Sequence, residues 1–88
     1  MGQNVVFVPS AFKHDISEEN ILWALQNHLT DSALEDDDGT KFLVIGFDKS
    51  GKLLELMYNL IGEHTIKVFH AMKCRRTFYE KLKEMEGL

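Results

Sequence analysis

This chain contains little cysteine, no long apolar run and no overall excess of positive charge. Cys74 is the single cysteine among 88 residues, so an internal disulfide is excluded, and no CxxC or cysteine–histidine spacing suggests zinc. The longest apolar runs are only as long as strands, which excludes a membrane span. Because no secretory signal is visible over residues 1–8, we expect a cytoplasmic protein in a reducing compartment.

The length of the chain predicts one domain, residues 1–88. A chain this short buries only about 60–65% of its unfolded surface, so its core is thin. We therefore expect any site to be a groove or a surface cleft, and nothing in the sequence predicts a bound cofactor.

Charge is distributed unevenly along the chain, whose formal net charge is −4. Residues 1–63 contain four lysines and eleven acids (4 − 11 = −7), whereas residues 64–88 contain six cations and three acids (6 − 3 = +3). This asymmetry favours a polyanionic or acidic partner for the C-terminal part. It is weaker support for nucleic-acid binding than a pI above about 9.

Apolar periodicity predicts an α+β fold in the order β-α-β-β-β-α. An apolar stripe at helical spacing predicts a helix over 17–29, with Asp15 or Ser17 as its cap. The acidic segment 30–40 is rich in turn formers and is interpreted as a loop. The predicted strands are 4–8, 41–48, 52–60 and 64–72, and a final helix is predicted over 73–86. The expected architecture is a small antiparallel sheet of three or four strands packed with two helices.

Strand alternation and helical spacing assign faces to two of these elements. On the last strand, alternation places Ile66, Val68 and His70 on one face. On the final helix, Cys74 and Phe78 belong to an apolar stripe that packs, which leaves the arginines outside it.

The stretch IKVFHAMKCRRTFYEKL (66–82) gathers cations around one histidine and three aromatic residues. RNA cleavage by an adjacent 2′-hydroxyl needs a base, an acid and cations that stabilise the phosphorane, which histidine, lysine, arginine and tyrosine can supply. The residues of this type are His70, Lys73, Arg75, Arg76 and Tyr79, joined by Lys13 and His14 if their connector folds beside the end of the sheet. The alternative is a solvated helix face, with His70 at the edge of the core and bonded to backbone.

Four other features have both a functional and a structural interpretation. The run of three aspartates at 36–38 lacks the spacing of an EF-hand loop, which favours a solvated loop over a metal site. Cys74 lies on an apolar stripe, so a buried structural thiol is favoured over a nucleophile. His28 is interpreted as a partly buried helix histidine, and Ser17, which lacks a GxSxG context, as a helix cap.

Three strings that span most of the chain resemble the BrnT-type toxins of bacterial toxin–antitoxin systems. They are AFKHDISEENILWAL (11–25), KFLVIGFDKSGKLLEL (41–56) and IKVFHAMKCRRTFY (66–79). On matching positions, Lys13 and His14 correspond to the family's Lys-His pair, His70 and Ala71 to its Ser/His-Ala. Lys73, Arg75 and Arg76 correspond to its basic run. Asp15 stands where these toxins usually have glycine.

The resemblance implies a compact RelE-like fold, a metal-independent ribonuclease activity on mRNA and a cognate antitoxin. On this hypothesis the arginines bind phosphate, His70 or His14 is the acid or base, and Tyr79 positions or stacks a base. Two alternatives stay open. One is a non-catalytic module of the same fold that recognises a protein or nucleic acid through the basic helix, and the other is a domain that self-associates as a homodimer through a partly covered sheet face.

Overall fold

The computed structural model describes residues 4–35 and 39–80, and these residues form a mixed sheet with one α-helix packed on it. The strands are β1 (Asn4–Phe7), β2 (His28–Ala33), β3 (Lys41–Phe47), β4 (Leu53–Ile61) and β5 (Thr65–Lys73), and the helix is α1 (Glu18–Gln26). A short 3₁₀ turn lies after β1, at Pro9–Phe12, and another lies after β5, at Arg76–Phe78. The predicted α+β class is confirmed, whereas the numbers of strands and helices differ.

The five strands form one sheet in the order β1-β5-β4-β3-β2. Neighbours from β2 to β5 are antiparallel, but β1 lies parallel to β5, with Asn4 beside Thr65 and Phe7 beside Val68. The prediction of a purely antiparallel sheet is therefore wrong at this edge. The predicted position of the first strand at an edge of the sheet is confirmed.

Strand β2 occupies residues that the sequence assigned to the end of the helix and to a loop. The helix ends at Gln26, and the chain enters β2 at His28, antiparallel to β3. Leu29 leaves the helical stripe and is exposed, while Thr30 is buried beside Ile45. Backbone pairing with β3, a contact that local sequence does not reveal, overrides the turn-forming composition of this segment.

Helix α1 covers one face of the sheet, called here the helix face. The side chain of Ser17 caps it by accepting a hydrogen bond from the Asn20 amide at 3.2 Å, as the sequence predicts. Gly46 permits close approach of the helix, because a Cβ there would lie 2.8 Å from the Ala24 carbonyl oxygen. The core of this face is apolar and includes Ile21, Ala24, Val44, Leu54, Leu56, Tyr58, Ile66, Val68 and Ala71.

A β-bulge in β5 changes which face its last residues occupy. Tyr58 pairs with Val68, but the preceding residue Met57 pairs with His70, so Phe69 is the extra residue. The bulge places His70 on the opposite face of the sheet, called here the second face, beside Met57. The prediction that His70 shares a face with Ile66 and Val68 is therefore wrong.

The predicted final helix begins later than expected. Lys73 still belongs to β5, and Arg76–Phe78 form a 3₁₀ turn before helical backbone at 79 and 80. Residues 81–86 of the prediction lie outside the described residues. Cys74 and Phe78 pack with Leu43 and Ile45 in an apolar cluster on the second face, which confirms that they pack. Within 4–35 and 39–80, no helix is long and apolar enough to cross a membrane.

Candidate functional site

Glu55 is a buried carboxylate on the second face of the sheet, in the middle of β4. It is 0% exposed and stands opposite Met72 of β5. One oxygen accepts hydrogen bonds from the backbone amide of Arg75 at 2.9 Å and from its Nε at 3.0 Å. The other accepts from Nη2 of Arg75 at 2.7 Å and from Nε2 of His70 at 2.9 Å. These hydrogen bonds compensate the cost of burying the Glu55 charge, so the ionised carboxylate is stable inside the fold.

Opposing effects set the ionisation of this carboxyl group. Burial by itself raises the pKa of Glu55, but hydrogen bonds from Arg75 and then His70 outweigh it and bring the pKa below its ordinary value. In return, the hydrogen bonds to Glu55 raise the pKa of Arg75. Both groups are therefore charged near neutral pH, and the ion pair ties the segment after β5 to the middle of the sheet.

The bond to Glu55 fixes the tautomer of His70. An ionised carboxylate can only accept, so Nε2 of His70 carries the proton that it donates. In the neutral ring, Nδ1 is then the nitrogen with a free lone pair. The side chain of His70 remains 20% exposed, so the ring that Glu55 holds is still partly accessible to solvent.

The connector after β1 brings His14 to His70. The hydroxyl of Ser10, in the first 3₁₀ turn, donates to the Phe69 carbonyl at 2.7 Å, which attaches this turn to the bulge of β5. The two imidazole rings lie edge to face, with centroids 5.8 Å apart and an interplanar angle of 75°. Residues that are distant in the sequence therefore form one histidine pair.

Asp15 follows His14 with a φ of 62°, in the left-handed region that favours glycine. Its amide donates to the Phe12 carbonyl at 3.2 Å and closes the turn that carries His14. The unusual backbone conformation therefore lies directly beside the histidine pair.

The cations predicted for phosphate binding have different surroundings. Arg75 directs Nε and Nη2 at Glu55, and its guanidinium lies 5.3 Å from the Phe78 ring centroid. Lys73 pairs with Leu54, so alternation places it on the helix face, opposite His70. Lys13 and Arg76 are exposed and adjoin His14 and Arg75 in the chain.

Tyr79 is 41% exposed, one turn beyond Arg75, with its ring available for contact. It therefore remains accessible for the stacking role that the sequence predicted, whereas Arg75 is already engaged by the sheet.

Sequence reasoning missed Glu55, although a signal for it was present. The strand LLELM contains one acidic residue between apolar neighbours, and a carboxylate in such a position is rarely buried without a partner. A buried Glu55 therefore requires a cation or a histidine from elsewhere in the chain as its partner. The sequence offers several candidates and no means of choosing among them.

Two other residues considered for chemistry lie outside the histidine pair. Cys74 is 5% exposed, and burial together with the nearby Glu55 carboxylate raises the pKa of its thiol. A thiol that stays protonated is a poor nucleophile, as the sequence predicts. His28 is exposed and lies in β2, so its interpretation as a partly buried helix histidine is wrong.

No group of three or more metal-ligating side chains occurs among residues 4–35 and 39–80. The aspartate run 36–38 lies outside the described residues.

The arrangement of His14, His70 and Glu55 suits proton transfer at the surface of the sheet. One imidazole has its tautomer fixed by a buried carboxylate, and a second lies beside it. The exposed Lys13 adjoins His14 in the chain, and the exposed Arg76 follows Arg75. Comparison of the chain with family models, with curated proteins and with solved structures found no match.

Proposed function

We propose that this protein is a BrnT-like toxin that cleaves RNA without a metal at the pair formed by His14 and His70. The observation that carries the proposal is the 5.8 Å approach of the two rings, together with the 2.9 Å bond that Glu55 makes to one of them. Two imidazoles within reach of the same phosphodiester can act as base and acid in one reaction.

In the proposed reaction, Nδ1 of His70 accepts the proton of the ribose 2′-hydroxyl. The 2′-oxygen forms a bond to phosphorus, and the bond from phosphorus to the 5′-oxygen breaks. His14, as imidazolium, donates a proton to that leaving oxygen. The products are a 2′,3′-cyclic phosphate and a 5′-hydroxyl, and water regenerates the starting protonation states. Glu55 is a positioning residue, because it orients His70 and stabilises the imidazolium that forms.

Exposed cations and an aromatic ring supply the binding part of the proposal. Lys13 and Arg76 contact phosphate oxygens and stabilise the phosphorane, and Tyr79 stacks on a base. Arg75 acts mainly by holding Glu55, since its donors are directed at that carboxylate.

The left-handed backbone at Asp15 supports the family-level part of the proposal. The resembled toxins usually have glycine at this position, and a φ of 62° is the conformation for which glycine is best suited. The cognate antitoxin that the resemblance implies covers the histidine pair and blocks the access of RNA to it.

The test is cleavage of a long unstructured RNA by purified protein in the presence of EDTA. We expect products with cyclic phosphate termini, and no cleavage of a 2′-O-methyl RNA of the same sequence. His14→Gln and His70→Gln should each lower the rate roughly 100- to 10,000-fold. His64→Gln is the matched control, because that side chain is 77% exposed and its one ion-pair contact among the described residues is with Glu63 at 3.8 Å.

Circular dichroism of each variant must show a retained fold. Equal loss of activity in His64→Gln, or full activity in both site variants, would contradict the assignment.

A non-catalytic binding module is the second candidate. The observation that favours it is the Glu55 network itself, which also explains His70 and Arg75 as residues that attach the C-terminal segment to the sheet. Intact RNA together with binding that weakens steeply with salt would support an RNA-binding module. Intact RNA and no binding would direct attention to a protein partner.

A further inference from the structure

A cavity of about 290 Å³ opens on the helix face, between α1 and the sheet. Its apolar lining comes from Val5, Leu22, Leu25, Val44 and Ile66. This volume is close to the lower end of the range for small-molecule sites, which is about 300–1,000 Å³. The cavity is separate from the histidine pair, since Val5 and Ile66 face the helix and His70 lies on the second face.

Asp31 of β2 lines the same cavity, and its carboxylate is held in position. The Tyr58 hydroxyl donates to it, with distances of 3.1 and 3.2 Å to the two oxygens. The Tyr58 ring is fixed in turn by stacking on Phe42, with centroids 5.2 Å apart. Burial and then the Asp31 charge raise the pKa of Tyr58, so the hydroxyl keeps the proton that it donates.

His28 adds a second acceptor to the lining. Its Nδ1 lies 2.7 Å from the Leu25 carbonyl oxygen, which can only accept, so Nδ1 donates. In the neutral ring, Nε2 is left with a free lone pair. The lining contains no lysine or arginine, and Asp31 has no ion-pair partner among the described residues. Gln26, whose amide can donate or accept, also lines the cavity. The polar side of the cavity therefore has a negative charge, on the exposed Asp31 carboxylate, that no cation among the described residues neutralises.

We propose that this cavity binds a small primary ammonium compound with an aromatic or branched apolar body. The apolar lining takes the hydrocarbon part, while the ammonium donates to Asp31 and to Nε2 of His28. An anionic ligand would meet the Asp31 charge, and a neutral one would leave that charge unpaired. The proposal is independent of the proposed ribonuclease activity.

Three probes of similar shape test the charge requirement: phenethylamine, phenethyl alcohol and hydrocinnamate. Each is titrated into isotope-labelled protein, and amide chemical shifts are followed by NMR. We expect saturable shifts with phenethylamine around Leu25, Val44 and Ile66, with a Kd on the order of 1 mM. The alcohol should bind at least about tenfold more weakly, and the carboxylate should not bind.

Three variants locate the site. Asp31→Asn keeps the shape of the side chain and should weaken phenethylamine binding about tenfold. Val5→Phe fills the cavity and should abolish binding, whereas Val6→Phe is the matched control on the same strand, because Val6 is 44% exposed and faces away from the cavity.

Absence of saturable shifts, equal affinity for all three probes, or unchanged affinity in Asp31→Asn would each overturn the proposal. If Val5→Phe fails to fold, the probe series and Asp31→Asn still decide.

Discussion

Replacing Glu55 with glutamine removes the charge of a fully buried carboxylate without changing its size. The carboxylate accepts from three donors of Arg75 and one of His70. Glutamine keeps one acceptor oxygen and presents an NH₂ group to donors that it cannot satisfy. Breaking a buried ion pair typically costs about 3–5 kcal/mol. Because the Arg75 side chain is 51% exposed and can be rehydrated, we expect the lower end, about 3 kcal/mol.

The assay is urea unfolding followed by far-UV circular dichroism, with a thermal scan alongside. For a domain of this size, a loss of 3 kcal/mol corresponds to a decrease in Tm of roughly 12–24 °C. Glu63→Gln is the matched control, since it makes the same chemical change at a side chain that is 92% exposed. We expect its free energy of unfolding to stay within about 0.5 kcal/mol of the wild type.

The dependence on pH gives a second, independent readout. The pKa of Glu55 in the fold lies below its ordinary value of 4.5. Its stabilisation is therefore fully present above that value and is lost as the pH falls through the folded pKa. The difference between wild type and Glu55→Gln should shrink in acid. Equal urea midpoints for the two proteins at neutral pH, or a difference that does not change in acid, would refute this reasoning.

Substitutions at three further positions test the packing of α1 and the β3–β4 connection by urea unfolding. Gly46→Ala should cost about 1–3 kcal/mol, because the new Cβ would lie 2.8 Å from a backbone oxygen of the helix. Ser17→Ala should cost about 1 kcal/mol through loss of the helix cap, whereas Ser17→Thr keeps a capping hydroxyl. Asp48→Ala should cost about 1–3 kcal/mol, since its carboxylate accepts from the amides of Ser50 and Lys52 at 2.9 Å.

These substitutions have separate contrary outcomes. An unchanged midpoint in Gly46→Ala would mean that the helix does not lie against β3 at that glycine. Equal loss in both Ser17 variants would mean that the hydroxyl is not what matters there. Burial by itself raises the pKa of Asp48, but the hydrogen bonds that its carboxylate accepts have a larger combined effect. The pKa of Asp48 is therefore below its ordinary value. Its stabilisation should decline in acid, and a loss that is the same at all pH values would contradict the hydrogen-bonding explanation.

Part of the fold could be predicted because its signals are local. The strands that became β1, β3, β4 and β5 are apolar runs bounded by proline, glycine or turn residues, and the start of α1 follows from a serine before two glutamates. β2 was missed because its sequence, HLTDSA, is polar and has no strong strand preference of its own. Its partners lie in β3, from Phe42 beside Ala33 to Gly46 beside His28, and are therefore not local in the sequence.

The candidate site could also be predicted only in part from the sequence. His14, His70 and the nearby cations could be named from residue type and from the resemblance. The face that His70 occupies could not, because alternation fails at a bulge that only pairing with β4 reveals. Glu55 was missed, since its partners Arg75 and His70 are 20 and 15 residues away.

By itself the sequence determined the α+β class, four of the strands, the helix cap and the residues able to transfer protons, because each depends on neighbours within a few positions. Only the tertiary structure decided that β1 runs parallel to β5, that His70 faces Glu55 and that His14 reaches His70. These features arise from hydrogen bonds and contacts between distant segments. The partners of a buried carboxylate are the donors that lie within hydrogen-bonding distance of it. Donors that are distant in the sequence reach that distance only when the chain is folded.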